Sequence, residues 1–170
     1  MKKNIFTVIS LTAICGVVAL LLALTNSITS PLIQKQEEEA VQNALKEVMP
    51  EGRDFKEFDV SDQEIPDTVE QVFTESGGGY VFKLNTTGYS SGLVLMCGVD
   101  AEGTVTGCSF ISGSETLGYE ATYGKELVGK NSDNVNDVAT VAGATKTTGA
   151  YKNAVKDALN AFEQIKEESK

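Results

Sequence analysis

The sequence predicts an α+β fold, an antiparallel sheet covered by helices and tethered behind one membrane-spanning helix, and three observations predict it. An uncharged apolar run stands near the amino terminus, short β-branched and aromatic runs broken by glycine turns fill the middle, and a strongly amphipathic helix closes the chain. They divide the 170 residues into a cytoplasmic tail at 1–4, a transmembrane helix at 5–25, a linker helix at 26–50 and one extracytoplasmic domain at 51–170.

Ile5 to Leu24, IFTVISLTAICGVVALLLAL, carries no charge over twenty residues, the length a helix needs to cross hydrocarbon. Lys2 and Lys3 precede it, so the positive-inside rule puts the amino terminus in the cytoplasm and everything after Thr25 on the far side of the cell (inner) membrane. A cleaved signal peptide fits less well, because the apolar run is long and no A-x-A pattern follows. Thr12, Ala13 and Ile14 likewise do not give Cys15 the small-residue lead-in of a lipoprotein.

Ser30 before Pro31 reads as an N-cap with proline at the first helical position, and Val41, Ala44, Leu45 and Val48 then recur at helical spacing. Pro50 and Gly52 stop this helix, whose Glu37, Glu38 and Glu39 form a solvated face.

From about residue 69 the pattern changes to VEQVFTES, a triple glycine at 77–79, YVFKLN, TTGYSS, GLVLMCGVD, AEG and TVTGCSFI, which describes an antiparallel meander. Asp100 to Gly103 is a compact turn, so Leu93–Val99 and Thr104–Ile111 pair as a hairpin. The triple glycine lacks the Lys-Ser/Thr of a phosphate loop and reads as a flexible turn. Cys97 and Cys108 fall on the two arms of the hairpin and read as small buried apolar residues; a disulfide between them stays open for a domain facing an oxidising compartment.

The last helix runs from about Gly149 to Lys166, with Tyr151, Ala154, Val155, Ala158, Leu159, Phe162 and Ile165 on one stripe. Before it stands AGATKTT, residues 142–148, in which Thr147 or Thr148 reads as the N-cap and Thr145 lies just outside. Unpaired N–H groups and the helix dipole there favour an anion, and Gly143 and Ala144 let a bulky phosphorylated ligand approach the backbone. Hydroxyl-rich helix starts are also common as plain caps.

Composition narrows the chemistry. The net charge is −10, or −12 without Lys2 and Lys3, which repels phosphate backbones and argues against nucleic acid as a partner. The absence of histidine excludes a Ser-His-Asp triad and removes the commonest zinc ligand, and no CxxC or other metal spacing occurs, so neither catalytic nor metal-ligating residues are expected. Lys146 is the one cation near the proposed anion, too little to hold a free nucleotide in an acidic domain, whereas a covalent bond to a threonine hydroxyl would hold it.

AGATKTT resembles the flavinylation motif D-x-x-S/T-G-A-T-x-T/S of the FMN-binding domain family, with Ala139 and Ala142 in place of the acidic and hydroxyl residues and Asp137 two positions from the former. SETLGYE, residues 114–120, is similar to the family's E-T-P-G-L-G stretch in Glu115, Thr116 and Gly118, with Leu117 and Glu120 replacing proline and glycine. GYSSGLVLMCGVDAEGTVTGCSFI, residues 88–111, resembles the family's G-Y-x-G-x-I-x-x-x-V-G-x-D-x-x-G-x-V-x-G hairpin. Only residues 51–76 lack a match.

The resemblance implies an FMN-binding domain with FMN joined through a phosphoester to Thr145, and with Gly143, Ala144, Thr147, Thr148, Glu115, Thr116, Leu117 and Gly118 around it. Tyr89 and Tyr119 are candidates to pack near the ring. Nothing beside Thr145 would activate its hydroxyl, so a separate flavin transferase using FAD is implied. One anchor plus one such domain is similar to the G subunits of Rnf-type complexes and the C subunits of the sodium-translocating NADH:quinone oxidoreductase, and this length is nearer the former. The implied role is an electron relay among the other membrane subunits of an ion-translocating ferredoxin:NAD⁺ oxidoreductase, without substrate turnover of its own. The acidic surroundings would lower the flavin's potential. Two other readings stay open: a stand-alone anchored flavoprotein, and a non-redox domain that has lost the flavin through the changes at Ala139 and Ala142.

Overall fold

The computed structural model describes residues 2–60 and 63–168. Helix α1 (Lys2–Val48) is followed by strands β1 (Lys56–Phe58), β2 (Val69–Thr74), β3 (Tyr80–Thr87), β4 (Ser91–Val99) and β5 (Val105–Ser112). Three short 3-10 turns, Tyr119–Ala121, Tyr123–Leu127 and Val135–Asp137, lead to helix α2 (Thr145–Glu168). The chain divides into two compact units at Ala40/Val41. Of the expected tail at 1–4, Met1 lies outside the described residues.

The first unit is helix throughout its described residues. Leu11, Ile14, Val17, Leu20, Leu21 and Leu24 are all exposed, and the stretch is long and apolar enough to cross a membrane by length and composition. The expected helix start at Ser30–Pro31 does not occur, because α1 continues through both. Proline removes one i→i−4 bond, and established helical turns on both sides outweigh that loss through cooperativity. The hydroxyls of Thr25 and Thr29 bond back to the carbonyls of Leu21 (2.9 Å) and Thr25 (2.6 Å). The Ser-Pro signal is local and carries no information that the preceding segment is already helical.

The second unit is the α+β domain. Its sheet has the order β1-β2-β3-β4-β5, every neighbour antiparallel. Alternation along β4 explains why both faces are covered: Leu93, Leu95, Cys97 and Val99 pack with Tyr151, Val155, Leu159 and Phe162 of α2, whereas Met96 points the other way. There it meets Val41, Leu45 and Val48 from the end of α1 and Met49 just after it, with Phe73 and Val81. The linker segment 26–50 thus contributes its last turns to the domain's core.

Gly98 and Gly107 stand opposite each other on β4 and β5. A Cβ at Gly107 would lie 2.6 Å from the Val48 carbonyl oxygen and one at Gly98 2.8 Å from it, so the sheet accepts the end of α1 only because both positions lack a side chain. Thr106 Oγ1 donates to that same carbonyl (2.7 Å), and Ser109 donates to Glu47 (2.8 Å), satisfying groups at the helix terminus. The expected hairpin is present, with Cys97 directly opposite Cys108 and their Sγ atoms 3.8 Å apart as free thiols.

Candidate functional site

Three segments converge at one end of the domain: the turn between β3 and β4, the loop after β5, and the start of α2. They enclose a cavity of about 270 Å³ lined by Tyr89, Thr116, Leu117, Gly143, Ala144, Thr145, Lys146 and Thr147. A larger cleft of about 390 Å³ lies elsewhere, but its lining sets Glu102, Asp133, Glu163 and Glu167 against Lys166, a net negative charge that would repel an anion.

Helix α2 begins at Thr145, four residues before the start expected from the sequence, which corrects the expected cap. The chain turns at Gly143, whose φ of 87° belongs to the left-handed region that favours glycine. Ala144 N–H donates to Val141 C=O (3.0 Å), and the first i→i−4 bond runs from Thr148 N–H to Ala144 C=O (2.9 Å). Thr147 and Thr148 therefore lie inside the first turn. Thr148 caps from within: its buried hydroxyl accepts from Val141 N–H (3.1 Å) and donates to Ala144 C=O (2.9 Å). Those bonds commit it to the turn, and it does not line the cavity.

Thr145 is exposed at the first helical position, and its hydroxyl donates only a long bond to Val141 C=O (3.4 Å). The N–H groups of Thr145, Lys146 and Thr147 precede the first i→i−4 bond and point outward from the helix end, as a bound anion requires. A Cβ at Gly143 would meet nothing within 4 Å, so there is open space over the turn. Lys146 supplies a cation, its Nζ 5.9 Å from the Tyr89 ring centroid. Tyr89 (63% exposed) and Leu117 (58%) offer apolar surface to a flat ring. An anion subsite beside an apolar wall fits a phosphorylated aromatic cofactor.

Glu115 accepts hydrogen bonds from Tyr89 N–H (3.0 Å), Ser90 N–H (3.2 Å) and the hydroxyl of Thr147. Desolvation pushes its pKa up, but the Thr147 hydroxyl and the two amides together outweigh this and leave it below the ordinary carboxylate value. Gly118 sits one residue beyond the cavity wall with a φ of 74° and leads into the first 3-10 turn. Tyr119 is in that turn, Asp137 is exposed, and the Ala139 carbonyl accepts from the Tyr123 hydroxyl (3.2 Å).

Of the residues singled out in the sequence, the fold brings Thr145, Gly143, Ala144, Thr147, Thr116 and Leu117 to one cavity with Glu115 beside them, while Thr148 and Gly118 do not line it. Sequence reasoning missed Lys146 as a partner of Tyr89, a contact that only the pairing of the β3–β4 turn with α2 creates.

The comparisons bear on this site. A family model described as "FMN-binding domain" matches residues 88–160, a span that contains every residue lining the cavity. The chain is 25% identical over 182 aligned positions to the G subunit of the Na⁺-translocating ferredoxin:NAD⁺ oxidoreductase complex of Acetobacterium woodii, covering 89% of this chain and 88% of that one. It is 29% identical over 127 positions to the G subunit of the ion-translocating oxidoreductase complex of Methanosarcina acetivorans, covering 71% and 68%.

Proposed function

We propose, starting from an FMN-binding domain in residues 88–160, that this chain is the electron-relay subunit of a membrane-bound, ion-translocating ferredoxin:NAD⁺ oxidoreductase of the Rnf type, carrying FMN covalently on Thr145. The single observation that carries the reading is Thr145 itself: an exposed hydroxyl at the first position of α2, opening into a cavity with an anion-binding helix start on one side and Tyr89 and Leu117 on the other. The relatives from Acetobacterium woodii and Methanosarcina acetivorans, matched over most of their length, support the assignment to such a complex.

Attachment replaces one bond with another. The Thr145 hydroxyl, which among the described residues bonds to the Val141 carbonyl and not to a base, would displace AMP from FAD, forming the phosphoester to FMN and losing its proton to a base on a flavin transferase. The backbone N–H groups of the first turn of α2 and the Lys146 ammonium then hold the phosphate. When bound, FMN supplies reversible electron transfer through its ring, and the protein supplies position and electrostatics. Tyr89 and Leu117 would offer the apolar surface against which such a ring packs. The apolar part of α1 anchors the chain in the cell membrane, and Lys2 and Lys3 orient the domain to the extracytoplasmic side.

The test is to co-express the full chain with a flavin transferase and examine a denaturing gel under ultraviolet light beside Thr145→Ala. A fluorescent band that vanishes in the variant is expected. A dark parent band, with the transferase active on another acceptor, would overturn covalent attachment.

A further inference from the structure

We infer that Glu115 is a positioning residue rather than a ligand contact: its carboxylate ties the β3–β4 turn to the first turn of α2 and so sets the gap between the two walls of the cavity. The inference rests on the proposed flavin site for its functional meaning, but the tie itself is a property of the chain.

Three donors from two elements distant in sequence converge on this one side chain. Oε1 takes the N–H of Ser90; Oε2 takes the N–H of Tyr89 and the hydroxyl of Thr147. Glu115 belongs to a third segment, so it spans the gap as a bracket. Bonds from backbone amides to a charged acceptor are the stronger kind, and they add to the Thr87–Ser91 pairing that closes the turn. Within that turn, Gly88 N–H bonds to Ser90 C=O (3.0 Å).

A steric observation agrees independently. A Cβ at Gly88 would stand 2.6 Å from Glu115 Oε1 and 3.0 Å from its Cδ, so a side chain at residue 88 would push the carboxylate out of its present position. Tyr89, carried on the next residue, is the aromatic wall of the cavity and lies under Lys146. Releasing the bracket therefore frees the wall, the cation stacked on it and the spacing to Thr145 together.

A second consequence concerns Thr147. Its hydroxyl proton is spent on Glu115, so this side chain presents only lone pairs to the cavity and does not donate to a phosphate. The anion is left to the backbone N–H groups and Lys146, and the negative charge of Glu115 is kept behind Thr147.

The test compares Glu115→Gln and Glu115→Ala in the full chain in detergent, first without flavin, by hydrogen exchange of the peptides covering residues 88–91 and 145–148. Glutamine has one acceptor oxygen for three donors, so it should keep part of the tie, whereas alanine keeps none. Protection at 88–91 should fall about tenfold or more in Glu115→Ala and by an intermediate factor in Glu115→Gln, with strands 81–86 and 93–98 unchanged. Unchanged exchange at 88–91 in the alanine variant would overturn the inference, as would an equal loss of protection in the strands, which would make Glu115 a general stabiliser. After co-expression with the transferase, both variants should shift the midpoint potential of the attached flavin relative to the parent, alanine more than glutamine; an unmoved potential would also overturn the inference. Absence of flavin on the parent chain would count against the proposed function alone, because the exchange result stands without it.

Discussion

Glu75 and Glu115 do the same work at opposite turns of the sheet. Gly79 N–H donates to Glu75 Oε1 (3.1 Å), as Tyr89 and Ser90 do to Glu115. The amide of Gly77, opposed by desolvation and aided by Gly79 and Arg53, lowers the Glu75 pKa, and Glu115 is lowered as described above. A carboxylate with a lowered folded-state pKa contributes stability that is present above its unfolded pKa and is lost as pH falls through the folded value. For both residues that window lies below the ordinary value of 4.5. On the packed elements Lys146 faces the same turn, its ammonium stacked over the Tyr89 ring. Thermal unfolding followed by circular dichroism should therefore show a midpoint that holds near neutral pH and falls on acidification below the ordinary value of 4.5. Glu75→Gln/Glu115→Gln should start lower and fall less steeply; a parallel fall would show that other carboxylates carry the acid sensitivity.

Among the elements, the end of α1 shows what a glycine pair can specify. A Cβ on Gly107 would meet the Val48 Cα at 2.7 Å and its carbonyl oxygen at 2.6 Å, both backbone atoms that cannot rotate away. Gly107→Ala should consequently destabilise the domain by about 1–3 kcal/mol, measured by urea unfolding, because the helix end must lift from the sheet or the strand must bend. A loss within a few tenths of a kcal/mol would mean that the contact is not tight. The packing face of this helix was legible in the sequence, since Val41, Ala44, Leu45 and Val48 share a stripe and all are buried. Likewise the α2 stripe from Tyr151 to Ile165 and the β4–β5 hairpin follow from apolar period and turn chemistry alone. The start of α2 was not legible, because Thr147 and Thr148 are good caps by residue type, and only Gly143's left-handed turn and the bonds of Thr148 to Val141 and Ala144 move the start back to Thr145. Strand β1 escaped for a different reason: Lys56–Phe58 has three residues, two of them charged, and its strand character comes from pairing with β2. For the site, the residue types of AGATKTT and SETLG carried most of the assignment. The role of Glu115 depended on which donors the fold brings to it.

For the molecule as a whole, the division into units decides which part folds alone. A boundary drawn from the sequence at residue 51 would keep the strands and α2 but discard Val41, Ala44, Leu45, Val48 and Met49, which cover Phe73, Val81 and Met96. Burying a Val, Leu or Met side chain is worth about 1.5–3 kcal/mol. Losing four such residues and Ala44 therefore costs on the order of 6–12 kcal/mol, comparable with the whole stability of an ordinary domain at about 5–15 kcal/mol. It would also leave the second face of the sheet apolar and open, an aggregation surface. A chain reduced to residues 41–170 should be soluble without detergent and unfold in one cooperative step. One reduced to residues 51–170 should precipitate or melt without cooperativity, while the full chain should partition into membranes through the apolar part of α1. Size-exclusion chromatography and scanning calorimetry on the two shortened chains distinguish the cases. Equal, cooperative melting of both would mean that the α1 end rests on the sheet without stabilising it, and that the functional domain begins where the sequence pattern alone would have put it.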